Sequence, residues 1–202
     1  AAARQRQPQD DLMTAMLNAE EDGQRLDTST VVVTTMTFLT AGFESTNNLF
    51  TNLANALAQN PLVFTEIKYN PELIPAFVEE GMRWDAAAQG FVRTPTEDLN
   101  LHGKVIPENS QVLLHIGSAN RDEQQFENPD EFNIHREKLR HLGLGQGIHF
   151  CVGAPLGREM AYTIFEELLA VSDTWQVDLE HSKRVETPNF RGFSKLPLSI
   201  RN

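Results

Sequence analysis

Leu142-Gly143-Leu144-Gly145-Gln146-Gly147-Ile148-His149-Phe150-Cys151-Val152-Gly153 holds the only cysteine of the chain, framed by four glycines. A lone Cys makes no internal disulfide and no multi-Cys zinc site. Glycine at this density means backbone that passes close to something flat or bulky, or that takes positive φ. Three readings are open on these residues alone. Cys151 is a small buried hydrophobe in a glycine-rich surface loop. It is a nucleophile paired with His149, although such pairs usually draw the His from elsewhere in the chain. Or it is a thiolate offered to a metal centre.

The rest of the chain bounds the choice. At 202 residues one domain is expected, or two small ones, and 40% hydrophobic residues suffice for a sizeable core. A net charge of −11 argues against nucleic acid and against an anionic membrane surface. One Cys fits a reducing compartment, hence the cytoplasm. No signal peptide is expected from the polar start, and no run of 18 apolar residues occurs.

Periodicity places a helix over Asp10–Glu21 and a long one over Thr28–Gln59, stopped by Asn60-Pro61 and capped by Asp27 or Thr28. From Thr28 to Thr65 the only charged residue is Glu44. A helix so free of charge is expected to be buried on most sides, its Thr hydroxyls bonding back to helix carbonyls. In its middle stands Ala41-Gly42-Phe43-Glu44-Ser45-Thr46. A mid-helix Gly beside a buried carboxylate is two local liabilities together, which points to a functional site. Short helices follow over Pro61–Tyr69 and Pro71–Trp84. In the second, Glu80 and Arg83 share a face, and spacing alone reads as an exposed ion pair with Glu79 or Glu80. Strands are expected over Phe91–Thr94, Leu99–Leu101, Val105–Ile106 and Gln111–Ile116, with a turn at His102-Gly103. A helix over Ala154–Val171 follows the Cys loop, and Trp175–Leu179 and Leu196–Ile200 are closing strands.

Taken together these stretches resemble the cytochromes P450. The family pattern Phe-Gly-x-Gly-x-His-x-Cys-x-Gly is matched at every fixed position but the first, where Leu144 stands for Phe. Ala41-Gly42 with Glu44 and Ser45 is similar to the family's Ala-Gly-x-Asp/Glu-Thr, with Ser for Thr. Glu80-x-x-Arg83 matches its core pair, and Pro129-Asp130-Glu131-Phe132 is followed by the third partner, Arg136. Departures are Pro95 for the usual Ala after Arg93, the missing Pro in Ala86-Ala87-Ala88, and Gly157-Arg158-Glu159-Met160 for Ala-Arg-x-Glu.

The resemblance implies a mainly α fold with small β-sheets (α+β). It implies that residues 1–202 form the C-terminal half of a P450-like haem domain of soluble bacterial type: long central helix, Glu-x-x-Arg helix, meander, haem-thiolate loop and following helix. It implies haem b with Cys151 as axial thiolate, Arg93 and His149 on the propionates, and Leu144, Gly145 and Gly153 in the loop against the ring. Ala41 and Gly42 would allow close approach on the opposite face, and Glu44, Ser45 and Thr46 would supply protons. Glu80, Arg83 and Arg136 would form a buried structural network. Phe190-Arg191-Gly192-Phe193 would reach toward substrate. The implied reaction is monooxygenation of a small organic substrate, with electrons from a ferredoxin or flavodoxin-type donor steered by Lys138 and Arg140. The N-terminal half of the same fold, or self-association, would cover the long helix. A haem-binding module without turnover and a Cys-dependent hydrolase are the alternatives.

Overall fold

A computed structural model of the chain describes residues 1–137 and 139–201. It separates into two compact units, residues 1–44 and residues 45 onward. The long helix α3 (Thr28–Gln59) contributes its beginning to the first and the remainder to the second.

The first unit holds α1 (Ala2–Arg6), α2 (Leu12–Asn18), a hairpin of β1 (Glu20–Glu21) with β2 (Gln24–Arg25), and the start of α3. The helix expected over Asp10–Glu21 is shorter at both ends. Asp11 caps it, its carboxylate accepting from Thr14 N at 2.8 Å, and it stops at Asn18 because the next residues turn back into the hairpin. Asp22 and Gly23, both at positive φ, form the two-residue turn that matches strand twist. Of the two candidate caps of α3, Asp27 acts: it accepts from Thr30 N at 3.0 Å and from the Thr30 hydroxyl at 2.6 Å. Hydrogen bonds from Ser29 and Thr30 hold its carboxyl well below the usual carboxylate range.

The expectation that α3 is buried on most sides fails in this unit. Val31 is fully buried, but Val33, Met36, Leu39 and Phe43 are 63–75% exposed. Two short helices and a four-residue hairpin are too small to cover more than one face. The Thr residues behave as expected: Thr35 and Thr37 donate to the carbonyls of Val31 and Val33 at 2.8 and 2.9 Å. Glu44, expected to be buried, is half-exposed.

In the second unit α3 continues as a core helix. Leu49, Leu53 and Leu57 pack with Phe64 and Ile67 of α4 (Pro61–Tyr69) and with Ile74, Phe77 and Val78 of α5 (Ile74–Trp84). A 3-10 turn, Pro71–Leu73, separates α4 from α5, so the segment expected as one helix over Pro71–Trp84 is two. α7 (Ala154–Ala170) packs on α5 through Ala161, Phe165 and Leu169. Phe77 meets Phe165 edge-on at 5.2 Å between ring centres and Phe132 at 5.9 Å.

The sheets are all two-stranded and antiparallel. β3 (Gly90–Arg93) pairs with β6 (Val112–His115), and the tight hairpin of β4 (Leu99–Leu101) with β5 (Lys104–Ile106) lies between them in sequence. His102 and Gly103, both at positive φ, make its turn. β6 stops before Ile116, which starts the one-turn helix α6 (Ile116–Ala119). β7 (Thr174–Val177) pairs with β10 (Leu198–Arg201). β8 (Lys183–Arg184) and β9 (Phe193–Lys195) form a pair that periodicity missed, being two and three residues long.

The exposed ion pair that spacing suggested for Glu80 and Arg83 is instead completely buried. Arg83 grips Glu80 with two bonds of 2.7 and 2.8 Å and donates to the carbonyls of Asn120, Pro129 and Glu131 at 2.8–2.9 Å. Arg136 Nε and Asn133 N add bonds of 3.1 and 2.8 Å to the same Glu80 oxygen. This is the buried three-residue network expected from the family pattern.

Gly81, next to it, lets α5 lie against α3: a Cβ there would stand 2.1 Å from Leu53 Cδ2. Gly81→Ala is therefore expected to destabilise the protein by about 1–3 kcal/mol through overpacking, despite the better helix propensity of Ala. Urea denaturation read by tryptophan fluorescence measures it; a variant as stable as the parent would mean that the Leu53 side chain moves aside at little cost.

Candidate functional site

The glycine-framed loop is closed by its own backbone. Gly145 N donates to Leu142 O at 2.9 Å, and Cys151 N to Leu144 O at 2.8 Å. Gly147–His149 is a 3-10 turn that returns the chain. Gly145 sits at φ +73°, and a Cβ on it would stand 2.6 Å from His149 O. At Gly143 a Cβ would stand 2.5 Å from Met82 O, so the loop lies against the last turn of α5. Asn120, fully buried, accepts from Leu142 N at 2.7 Å and ties the loop to the end of α6.

Cys151 is exposed near the C-terminal end of the loop. The reading of a buried structural Cys is thereby corrected. Among the described residues no hydrogen bond joins its sulfur to His149, so a preformed Cys–His pair is not present. Cys151 O accepts from Ala154 N at 3.2 Å, three residues on, as α7 begins. Ile148, Phe150, Val152, Leu156 and Met160 form exposed apolar surface in the loop and the first turns of α7. Among the described residues there is no group of three or more His, Cys, Asp or Glu able to hold a metal ion.

His149, Leu144, Gly145, Cys151 and Gly153 are thus brought together by one loop, while Arg93 ends β3, half-buried, with a single bond to the Val92 carbonyl. Ala41, Gly42 and Glu44 belong to the first unit; Gly42 has open space where a Cβ would be. Ser45 and Thr46 are half-exposed on the next turn of α3. Of the basic stretch before the loop, His135 bonds Glu66 at 2.9 Å, Arg136 joins the Glu80 network and Arg140 is exposed. Lys138 lies outside the described residues. Arg191, expected to reach toward substrate, is bound to Asp85 Oδ1 at 2.6 Å, and its carbonyl accepts from Asn52 at 2.8 Å.

Sequence reasoning missed a second carboxylate system. Glu79, offered only as an exposed partner for Arg83, holds Arg158 of α7 through two bonds of 2.5 and 2.9 Å and His141 Nε2 at 3.1 Å. Burial pushes its carboxyl up, but the bonds from Arg158 and His141 outweigh this and bring it to about 2. Nothing in the spacing of residues 79, 141 and 158 signals this meeting. A cavity of about 520 Å³ is walled by residues between Gln125 and Glu137, and one of about 360 Å³ by Asp85, Arg121, Arg184 and Arg191 among others. Neither is lined by Cys151. No helix among the described residues is long and apolar enough to cross a membrane.

The cytochrome P450 family model matches residues 70–201. Putative cytochrome P450 123 of Mycobacterium tuberculosis is 37% identical over 196 residues, which cover 96% of this chain and 49% of that protein. Among solved structures, CYP109Q5 from Chondromyces apiculatus superposes with a TM-score of 0.94 at 38% identity, over 98% of this chain and 52% of that one. CYP109E1 from Bacillus megaterium in complex with testosterone gives 0.93 at 32% identity, over 100% of this chain and 56% of that one. The chain spans about half the length of the curated relatives it matches. A glycine-cradled thiol at a helix start, a buried Glu80–Arg83–Arg136 network and these relatives have one meaning: the chain belongs to the cytochrome P450 family.

Proposed function

We propose that residues 1–202 form the C-terminal half of a P450 haem domain and act in a haem-thiolate monooxygenase, inserting one atom of O₂ into a small organic substrate. The observation that carries this reading is the exposed Cys151 sulfur on a backbone-closed loop at the start of α7. The residues present fit haem b. Cys151 would hold the iron through its sulfur, and a thiolate-bound haem would supply the electron density that favours O–O cleavage. Leu144, Gly145 and Gly153 are assigned to the loop against the ring, and the exposed apolar side chains of Ile148, Phe150 and Val152 beside them suit its hydrocarbon faces. His149 and Arg93 have no carboxylate partner among the described residues and match the two acidic ends of such a cofactor.

Ala41 and Gly42, as small residues, are assigned to close approach on the other face of the ring. Glu44, Ser45 and Thr46 are assigned to moving protons, Glu44 as the acid and Ser45 as the hydroxyl that passes them on. The electron donor is proposed to be of ferredoxin or flavodoxin type, guided by Arg140 and Lys138. The exposed side chains of Val33, Met36, Leu39 and Phe43 are assigned to contact with the N-terminal half of the same fold or with a second copy. A lone exposed thiol fits a reducing compartment such as the cytoplasm.

Two measurements test the reading. The reduced carbon monoxide complex of the haem-loaded protein is expected to absorb at the long-wavelength position of thiolate ligation, and Cys151→His to move the band to that of histidine-ligated haem. An unchanged band in the variant would falsify the assignment. Ser45→Ala is expected to retain haem and to lower product formed per electron consumed, since a positioned proton donor contributes about 10²–10⁴-fold in rate. Thr46 is the neighbouring substitute, so Ser45→Ala/Thr46→Ala is measured beside it. Full product yield in the double variant would remove both hydroxyls from proton delivery.

A further inference from the structure

Glu79 and Glu80 are neighbours on α5 and face different structures. Glu80 holds the irregular chain around Asn133 and Arg136. Glu79 holds both flanks of the Cys151 loop. On the N-terminal flank, Gly143 N donates to His141 Nδ1 at 3.1 Å, which leaves the ring proton on Nε2 to donate to Glu79 Oε2. On the C-terminal flank, Arg158 on the second turn of α7 gives Glu79 a two-bond fork. His141 and Glu79 side chains are 4% and 23% exposed and Arg158 is 28% exposed, so water screens the cluster only in part.

We propose that Glu79 is a positioning residue for the thiolate loop, clamping its two flanks and cancelling the Arg158 charge that would otherwise act on the Cys151 sulfur. This rests on the haem-thiolate reading above. Two observations join Arg158 to the sulfur. They are close in sequence, Cys151 three residues before α7 begins and Arg158 on its second turn. Arg158 is also held more firmly protonated, first by the Glu79 bond and to a smaller degree by the charge of Cys151. Tyr162, one turn further on, faces the same carboxylate: burial first, then the Glu79 charge, keeps its phenol protonated.

The consequence is electrostatic and has a sign. Reduction of the iron adds one negative charge to the iron–sulfur site. A cation nearby stabilises the reduced form and raises the reduction potential; an anion lowers it. With Glu79 and Arg158 both present the two effects offset. Glu79→Gln leaves Arg158 uncompensated and is expected to raise the potential. Arg158→Gln leaves Glu79 uncompensated and is expected to lower it. Arg158→Lys keeps the charge and is expected to stay near the parent value.

The experiment is redox titration of the haem-loaded parent and these three variants, with the reduced carbon monoxide band recorded for each. Shifts of opposite sign for Glu79→Gln and Arg158→Gln, with Arg158→Lys unshifted, support the proposal. A brace with no electrostatic role would loosen the loop alike in both variants, so shifts of one sign, or none, overturn it. Should Glu79→Gln fail to take up haem, the Arg158 pair decides: Arg158→Gln below Arg158→Lys supports the proposal, and equal potentials overturn it. A thiolate band in the parent together with unshifted potentials removes the clamp alone. Absence of that band in the parent removes the haem-thiolate reading and the clamp with it.

Discussion

One completely buried carboxylate, Glu80, organises the second unit. A charge with no exposure is tolerated only when paired and fully hydrogen-bonded. Glu80 meets that condition with Arg83, Arg136 and the backbone N–H of Asn133. The arginines in turn solve a problem of the chain between α6 and the Cys loop. That stretch has no regular helix or strand among its described residues, so its inward carbonyls lack partners of their own. Arg83 takes those of Asn120, Pro129 and Glu131, and Arg136 those of Asn128 and Glu131. Removing Glu80 would leave two guanidiniums inside with no counter-charge, and the carbonyls they hold would move with them.

The order imposed there passes to the Cys loop by short steps. Asn120 is held by Arg83 through its carbonyl and holds Leu142 N through its side chain. Gly143 lies against Met82 with no room for a Cβ. Glu79 fastens His141 and Arg158. α5 therefore supports the loop that carries Cys151 through contacts at its flanks. Apolar packing sets the distance between α5 and α7, through Phe77 against Phe165, and ionic contacts set the loop upon it.

A similar division marks the C-terminal cap of α5. Asp85, with its side chain 8% exposed, binds both Arg184 and Arg191, and Asn52 of α3 bonds the Asp85 carbonyl. Arg184 lies 3.6 Å above the Phe193 ring. Burial, and then repulsion from Arg191, offset in part by Asp85, lower its proton affinity. This locks the Phe190–Phe193 turn to α5 and α3 rather than leaving it as a free loop.

What the chain by itself determined is local. Glycines that must take positive φ or pass close to backbone mark Gly143, Gly145 and Gly147. A lone Cys marks the loop before α7, and Asn60-Pro61 marks the end of α3. These depend on a residue and its immediate neighbours, so they are legible without the fold. Burial and pairing are not local. The spacing of Glu80 and Arg83 is the same in an exposed pair and a buried one, and only packing beneath Asn120, Pro129 and Glu131 decided between them. Glu79 meets Arg158 across 79 positions of chain, for which no periodic signal exists. The uncharged run of α3 reads alike along its length, yet Leu53 is buried and Leu39 exposed, because burial belongs to what surrounds a helix and not to the helix.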